Sequence, residues 1–86
     1  MRRGPVGAAI ADAEALCALP EEAIPVEDRV VHQCLLAHLH ARKGDTAQST
    51  RVLRRVIAAH GREHTRYAQL QLQRMLVGAV ETGLLQ

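Results

Sequence analysis

Aromatic side chains are almost missing from this sequence, which contains one Tyr, no Phe and no Trp. Its core must therefore be built from aliphatic side chains, and it offers no aromatic platform on which single-stranded nucleic acid could stack. The aromatic residues that favour strands are scarce, whereas Leu and Ala, which favour helices, are common. The composition therefore predicts an all-α fold.

Long hydrophobic runs are missing as well. No stretch approaches the roughly 18 apolar residues that a membrane-spanning helix needs. The apolar segment near the N-terminus is interrupted by Asp12 and Glu14, which is too early for a signal peptide. We therefore expect a cytoplasmic protein that has no membrane partner. Cys17 and Cys34 lie in apolar helical patterns, which favours reduced core thiols, and a disulfide between them stays open as the alternative.

Catalytic motifs are also lacking. The sequence contains no Gly-rich phosphate loop, no Gly-x-Ser-x-Gly elbow and no carboxylate pair on a core-facing stripe. Its 86 residues are few for a ligand-sized pocket. These features predict that the protein is not an enzyme, that it has no catalytic residues and that it binds no cofactor.

The five histidines raise the question of a metal site. Cys34 and His38 are four residues apart, as are His60 and His64, and zinc is often held by Cys and His from two elements. No Cys-x-x-Cys or His-Glu-x-x-His spacing is present, however, and Gly61 is expected to break the helix between His60 and His64. The sequence therefore predicts no metal site.

The hydrophobic periodicity indicates four helices in one domain that covers residues 1–86. The predicted helices span residues 8–19, 26–43, 45–60 and 62–82. Pro20, Gly44 and Gly61 are the expected stops of the first three. Because about two residues join the second helix to the third, these two must form an antiparallel hairpin.

Apolar stripes at helical spacing mark the faces that we expect to be buried. They consist of Ile10, Ala13, Leu16 and Cys17 in the first helix, Val31, Cys34, Leu35, His38 and Leu39 in the second, and Val52, Leu53, Val56 and Ile57 in the third. The second half of the fourth helix, residues 75–80, is apolar on every side. Such a segment is buried in proteins, so another surface is expected to cover it.

A weak period of 34 residues relates Leu36 to Leu70 and Gly44 to Gly78. This spacing is the length of one repeat that consists of two antiparallel helices joined by a turn. Within residues 30–63, the small side chains of Ala37 and Ser49 would let two helices approach closely. Leu36 and Leu53 would then fill the space between them.

Residues 34–45, with the sequence CLLAHLHARKGD, and residues 52–62, with VLRRVIAAHGR, together resemble a unit of the tetratricopeptide arrays. They are similar in particular to arrays in LuxR-type, maltose-regulator-like bacterial transcription activators and in small chaperones and adaptors of bacterial secretion systems. The resemblance spans about residues 30–80, although Gln33, Gln71 and Arg74 depart from the pattern and the second unit ends after one helix. It implies antiparallel helical hairpins that bind another protein. An ordinary helical bundle is the alternative.

The predicted function is therefore a non-enzymatic protein–protein interaction module, acting as an adaptor, chaperone or regulatory subunit in a bacterial cytoplasm. A partner helix or segment would lie in a groove beside the third and fourth helices. A homodimer is the alternative cover for the apolar C-terminus. The candidate partner-binding residues are Tyr67, Leu70, Arg74, Val77, Leu84 and Leu85.

A second hypothesis is a small helix-turn-helix regulator that binds DNA through residues 41–53 and Arg55. Gln48, Ser49, Arg51 and Arg55 would then face bases or phosphates in a major groove. The net charge of +2 is low for this role. Asp45 also occupies a position that is usually apolar in such motifs. Nucleic acid is accordingly the less favoured partner.

Overall fold

The computed structural model describes residues 5–81, and these residues form four α-helices. The helices are α1 (Pro5–Cys17), α2 (Val26–Lys43), α3 (Thr46–His60) and α4 (Arg62–Glu81). A single 3-10 turn, Glu21–Ala23, lies between α1 and α2. The prediction of an all-α fold with four helices is confirmed.

The first helix is the one whose bounds differ most from the prediction of 8–19. Within the described residues it begins at Pro5, three residues before the predicted start. It ends at Cys17, and the chain then tightens into a turn in which Leu19 N–H donates to the carbonyl of Leu16 at 3.3 Å. Leu19 precedes Pro20, whose ring disfavours helical backbone at the preceding residue.

The turn between α2 and α3 consists of Gly44 and Asp45. Gly44 has a φ of 94°, and its N–H donates to Ala41 O at 3.0 Å while the N–H of Asp45 donates to His40 O at 2.9 Å. These two bonds form a Schellman motif, which satisfies the last carbonyls of α2. The Asp45 carboxylate then accepts a bond from the backbone N–H of Gln48 at 3.1 Å. One pair of residues thus ends one helix and caps the next.

Gly44→Ala is expected to lower the free energy of unfolding by about 1 kcal/mol, because a Cβ is strained in left-handed backbone. Nothing lies within 4 Å of the position that the Cβ would take, so the loss is one of backbone conformation alone. Urea denaturation followed by circular dichroism measures it. Gly44→Asn is the control and should lose less, since asparagine tolerates this conformation better. Equal stability of the alanine variant and the native chain would contradict this assignment.

A single residue, Gly61, connects α3 to α4. Its φ is 91°, and its N–H donates to Ile57 O at 2.8 Å. The carbonyl of Gly61 accepts two bonds from Thr65, one from the hydroxyl at 2.8 Å and one from the backbone N–H at 3.2 Å. Gly61 therefore ends α3 as predicted, and the buried Thr65 secures the first turn of α4.

Helix α2 lies at the centre of the fold and packs against α1, α3 and α4. Its two sides contribute to two clusters of buried side chains. One cluster joins α2 to α3 and α4 and contains Val30, Cys34, Ala37, Val52, Val56, Ala68 and Leu72. The other joins α2 to α1 and contains Ile10, Ala13 and Leu39. Leu35 and Leu36 pack against both clusters, so α2 links them into one core.

The closest approach of α2 and α3 occurs at small residues, as the sequence predicts. Ala37 is 1% exposed, and its carbonyl accepts a hydrogen bond from the buried hydroxyl of Ser49 at 2.8 Å. A serine hydroxyl reaches a backbone carbonyl of the facing helix only when the two backbones lie close together. Ser49 opposite Ala37 also fixes the register of the hairpin, which places the last turn of α3 beside the first turn of α2.

Candidate functional site

An open groove lies between α2 and α4 and encloses about 640 Å³. Its lining includes aliphatic side chains from both helices, with Val30, Val31 and Leu35 on α2 and Ala68 and Leu72 on α4. The volume falls within the range of about 300–1,000 Å³ that is typical of ligand sites. The expectation that so short a chain has no pocket of this size is therefore wrong. Four helices suffice because the groove is open to solvent and shares lining residues such as Val30 and Leu72 with the core.

Large apolar side chains are exposed along the groove. Tyr67 is 63% exposed, Met75 is 62% exposed, and Val26 is also exposed; all three line the groove. Tyr67 and Met75 are two turns apart on α4, with Gln71 between them. The Gln71 amide donates to the Tyr67 hydroxyl at 2.7 Å, which holds the phenol beside its own helix. These residues present an apolar surface to any segment that enters the groove.

The polar groups of the groove gather near one end. Glu27 and Asp28 lie in the first turn of α2, and His60 and His64 flank the α3–α4 connection. The hairpin register brings the first turn of α2 and the last turn of α3 together, so these four side chains border the same end. His32 lines the groove one turn further along α2, and its Nδ1 is buried without a hydrogen-bond partner among the described residues.

The histidines do not converge on a metal centre within residues 5–81. In that range no group of three or more His, Cys, Asp or Glu side chains could hold a metal ion. His60 and His64 lie on different helices because the helix ends at Gly61, which lies between them, as predicted.

The other pair considered as metal ligands, Cys34 and His38, lies on α2, where Cys34 is buried and His38 is partly buried. Burial raises the pKa of the Cys34 thiol to about 11, because a thiolate would lose its hydration there. Burial also lowers the pKa of His38, and the positive charge of Arg42 lowers it further. At neutral pH the thiol therefore keeps its proton and the imidazole is neutral. A protonated, buried thiol is a poor nucleophile and a poor metal ligand.

Of the predicted partner-binding residues on α4, one lines the groove and three do not. Tyr67 lines the groove, whereas Leu70, Arg74 and Val77 are exposed on α4 but do not line it. On a helix with 3.6 residues per turn, these three residues and Tyr67 share the side that faces away from the buried Leu72, and Tyr67 lies at the edge of that side nearest the groove. Leu84 and Leu85 lie outside the described residues. Exposed apolar side chains thus extend around α4 from the groove to the outer side of the helix.

Sequence reasoning did not identify Val26, His64 and Met75 as part of the site. A signal was present on α4, because Tyr67, Gln71 and Met75 recur every four residues and so share one face. The predicted groove beside α3 and α4 is instead formed by α2 and α4, with the end of α3 contributing Ala59 and His60.

The structure weakens the helix-turn-helix hypothesis at one of its four residues. Ser49 is buried and donates its hydroxyl to Ala37 O, so it cannot reach a base edge. The Gln48 side chain accepts a bond from Arg51 at 3.3 Å on the exposed surface, and Arg55 is exposed. Arg51 and Arg55 thus give α3 a basic surface, but the Ser49 hydroxyl that was expected to contact DNA is not part of it.

The described residues form a four-helix, all-α fold with an open groove that aliphatic side chains line. Comparison with protein-family models, with curated proteins and with solved structures finds no match to this chain. No helix within residues 5–81 is both long and apolar enough to cross a membrane.

Proposed function

We propose that this chain is a non-enzymatic protein–protein interaction module that binds a helical segment of a partner in the α2–α4 groove. The observation that carries the proposal is the groove itself, which combines an aliphatic lining with the exposed side chains of Val26, Tyr67 and Met75. Large apolar side chains that remain exposed beside an open groove support an interaction site.

The dimensions of the groove suit a short helix. On α4 the lining residues run from His64 to Met75, which at 1.5 Å per residue corresponds to a length of about 17 Å. A partner helix of about three turns has this length. Its apolar residues at spacings of three and four would lie over the groove, as in other helix-in-groove complexes.

The aliphatic lining and the aromatic edge would contribute differently to binding. Tyr67 offers a large, exposed ring whose position is already restrained by its bond to Gln71, so its burial costs little conformational entropy. Tyrosine is also among the residues enriched at binding hot spots. Met75 has a flexible side chain that can adapt to partners of different shape.

The resemblance to tetratricopeptide units supports the same class of function. The small residues Ala37 and Ser49 that carry part of that resemblance do meet in the hairpin, as they would in such a unit. Under the proposal, the domain is an adaptor, a chaperone or a regulatory subunit in a bacterial cytoplasm. A second copy of the chain is the alternative occupant of its exposed apolar surfaces.

Tyr67→Ala is expected to weaken the binding of a helical peptide by about tenfold or more, because the largest exposed side chain of the groove is lost. The probe is a peptide chosen from a random library displayed on phage and selected on the immobilised domain. Fluorescence anisotropy gives its Kd, and NMR chemical shifts locate the contact at Val26, Gln71 and Met75.

Leu70→Ala is the matched control for this experiment, since Leu70 is also exposed on α4 but does not line the groove. We expect it to change the Kd by less than about twofold. A library that yields no binder, or shifts confined to α1 or to the outer side of α4, would contradict the proposed function.

A further inference from the structure

The groove differs in charge from the rest of the molecule. The chain contains 11 Lys and Arg against 9 Asp and Glu, and it therefore carries a net positive charge. The described residues that line the groove include the carboxylates of Glu27 and Asp28 but no Lys or Arg. A chain that is basic as a whole thus has an acidic end to its α2–α4 groove.

Arg29 follows Asp28 in the sequence but does not line the groove. Its guanidinium donates a hydrogen bond to the carbonyl of Ile24 at 3.3 Å, which directs the side chain toward the segment that precedes α2. The arginine nearest in sequence is therefore engaged outside the groove.

The N-terminus of α2 reduces this negative potential without reversing it. The helix dipole places a partial charge of about +0.5 at its first turn, whereas Glu27 and Asp28 bring two full negative charges to the same place. Both side chains are exposed, so water weakens their electrostatic attraction for a partner. They therefore favour a positively charged partner more than they increase its affinity.

We infer that the α2–α4 groove binds an amphipathic helical segment of another protein that carries Lys or Arg at the end lying over Glu27 and Asp28. The apolar side chains of that segment cover Val26, Tyr67 and Met75, which are exposed along the groove, and its cationic end meets the two carboxylates. This inference rests on the proposed function and adds the chemistry of the partner to it.

The test compares peptide pools selected on three forms of the full chain, namely the native protein, the double variant E27Q/D28N and the control E63Q. Glu63 is an exposed acid of α4 that does not line the groove, so its removal changes the net charge but not the charge of the groove. Selection is done at pH 8, above the usual titration range of histidine, and at low salt. We expect an excess of Lys and Arg over Asp and Glu in the pools from the native protein and from E63Q, and no such excess in the pool from E27Q/D28N.

The best peptide from the native pool then gives the size of the effect. Replacing its basic residue by Glu should raise the Kd for the native domain by about fivefold, which is the scale of an exposed charge pair, and should change the Kd for E27Q/D28N by less than about twofold. Sodium chloride at 0.5 M should remove most of the difference.

The possible failures separate this inference from the proposed function. Peptides that bind the groove without a basic excess, or with an acidic one, would overturn the inference and leave the proposed function standing. A native pool with no binders would count against both. If light scattering shows a dimer and NMR places the contact in the groove, the occupant is a second copy and the inference is wrong.

Discussion

Leu72→Ala is expected to lower the free energy of unfolding by about 3 kcal/mol, because it removes a buried side chain that holds α4 against α2. Leu72 is 6% exposed and belongs to the cluster that also contains Val30, Cys34 and Val56. The cost combines the lost transfer of the side chain from water with the cavity that it leaves. A domain of this size has a total stability of about 4–13 kcal/mol, so the loss is a large fraction of it.

The loss of local stability in Leu72→Ala should be greatest at α4, because Leu72 and Ala68 are the two α4 residues in the buried cluster. Alanine is too small to replace the contacts of Leu72, so α4 should open more readily than α2 and α3. Hydrogen exchange of backbone amides measures this opening helix by helix. We expect the protection of α4 to fall more than that of the α2–α3 hairpin.

Leu70→Ala is again the matched control, because it deletes the same atoms from the same helix at a position that is 51% exposed. It should change the free energy of unfolding by no more than about 0.5 kcal/mol. Equal losses for the two variants in urea denaturation would show that α4 does not pack through Leu72. The groove, which Leu72 also lines, would then have a different shape from the one described.

Local signals in the sequence were sufficient to predict the helices and the turns between them. Gly44 and Gly61 were predicted as helix ends, and both adopt the positive φ that favours glycine. Asp45 follows the glycine at the end of α2, and its carboxylate accepts the N–H of Gln48 as a cap of α3. Each signal depends on a few neighbouring residues, so it can be identified without knowledge of the tertiary packing.

The burial of α2 was predicted less completely, because periodicity in the sequence reveals one apolar face and α2 is covered on several. The predicted stripe of α2 included Cys34 and Leu39, which are buried, but omitted Val30 and Ala37, which are buried as well. His40 near the end of α2 is not part of the predicted stripe either. The structure buries it, and among the described residues its Nδ1 has no hydrogen-bond partner.

The location of the groove could not be obtained from local patterns. It depends on where α4 crosses α2, and that crossing follows from the single-residue connection at Gly61 and from the side chains of Ala68 and Leu72 that pack on α2. Tyr67 was predicted from the sequence as a partner-binding residue. It could not show that Val26, far away in the chain, borders the same groove.

The close approach of α2 and α3 supports a second large effect, for Ala37→Leu. We expect this substitution to lower the free energy of unfolding by about 3 kcal/mol or to prevent folding, because the added atoms have no space between the two backbones. Ala37 is fully enclosed, and its carbonyl lies 2.8 Å from the Ser49 hydroxyl. A larger side chain would push the helices apart, and the buried Ser49 hydroxyl would then lose its acceptor.

Ala41→Leu is the control, because Ala41 lies one turn further along α2 and is exposed. Leucine and alanine have similar helix propensities, so this variant should unfold within about 0.5 kcal/mol of the native chain. Thermal and urea denaturation compare the two. If Ala37→Leu were as stable as Ala41→Leu, the helices would not be held together by small residues. The feature that links the hairpin to its tetratricopeptide resemblance would then be lost, whereas a selective loss at Ala37 would show that the spacing of the two helices depends on this one methyl group.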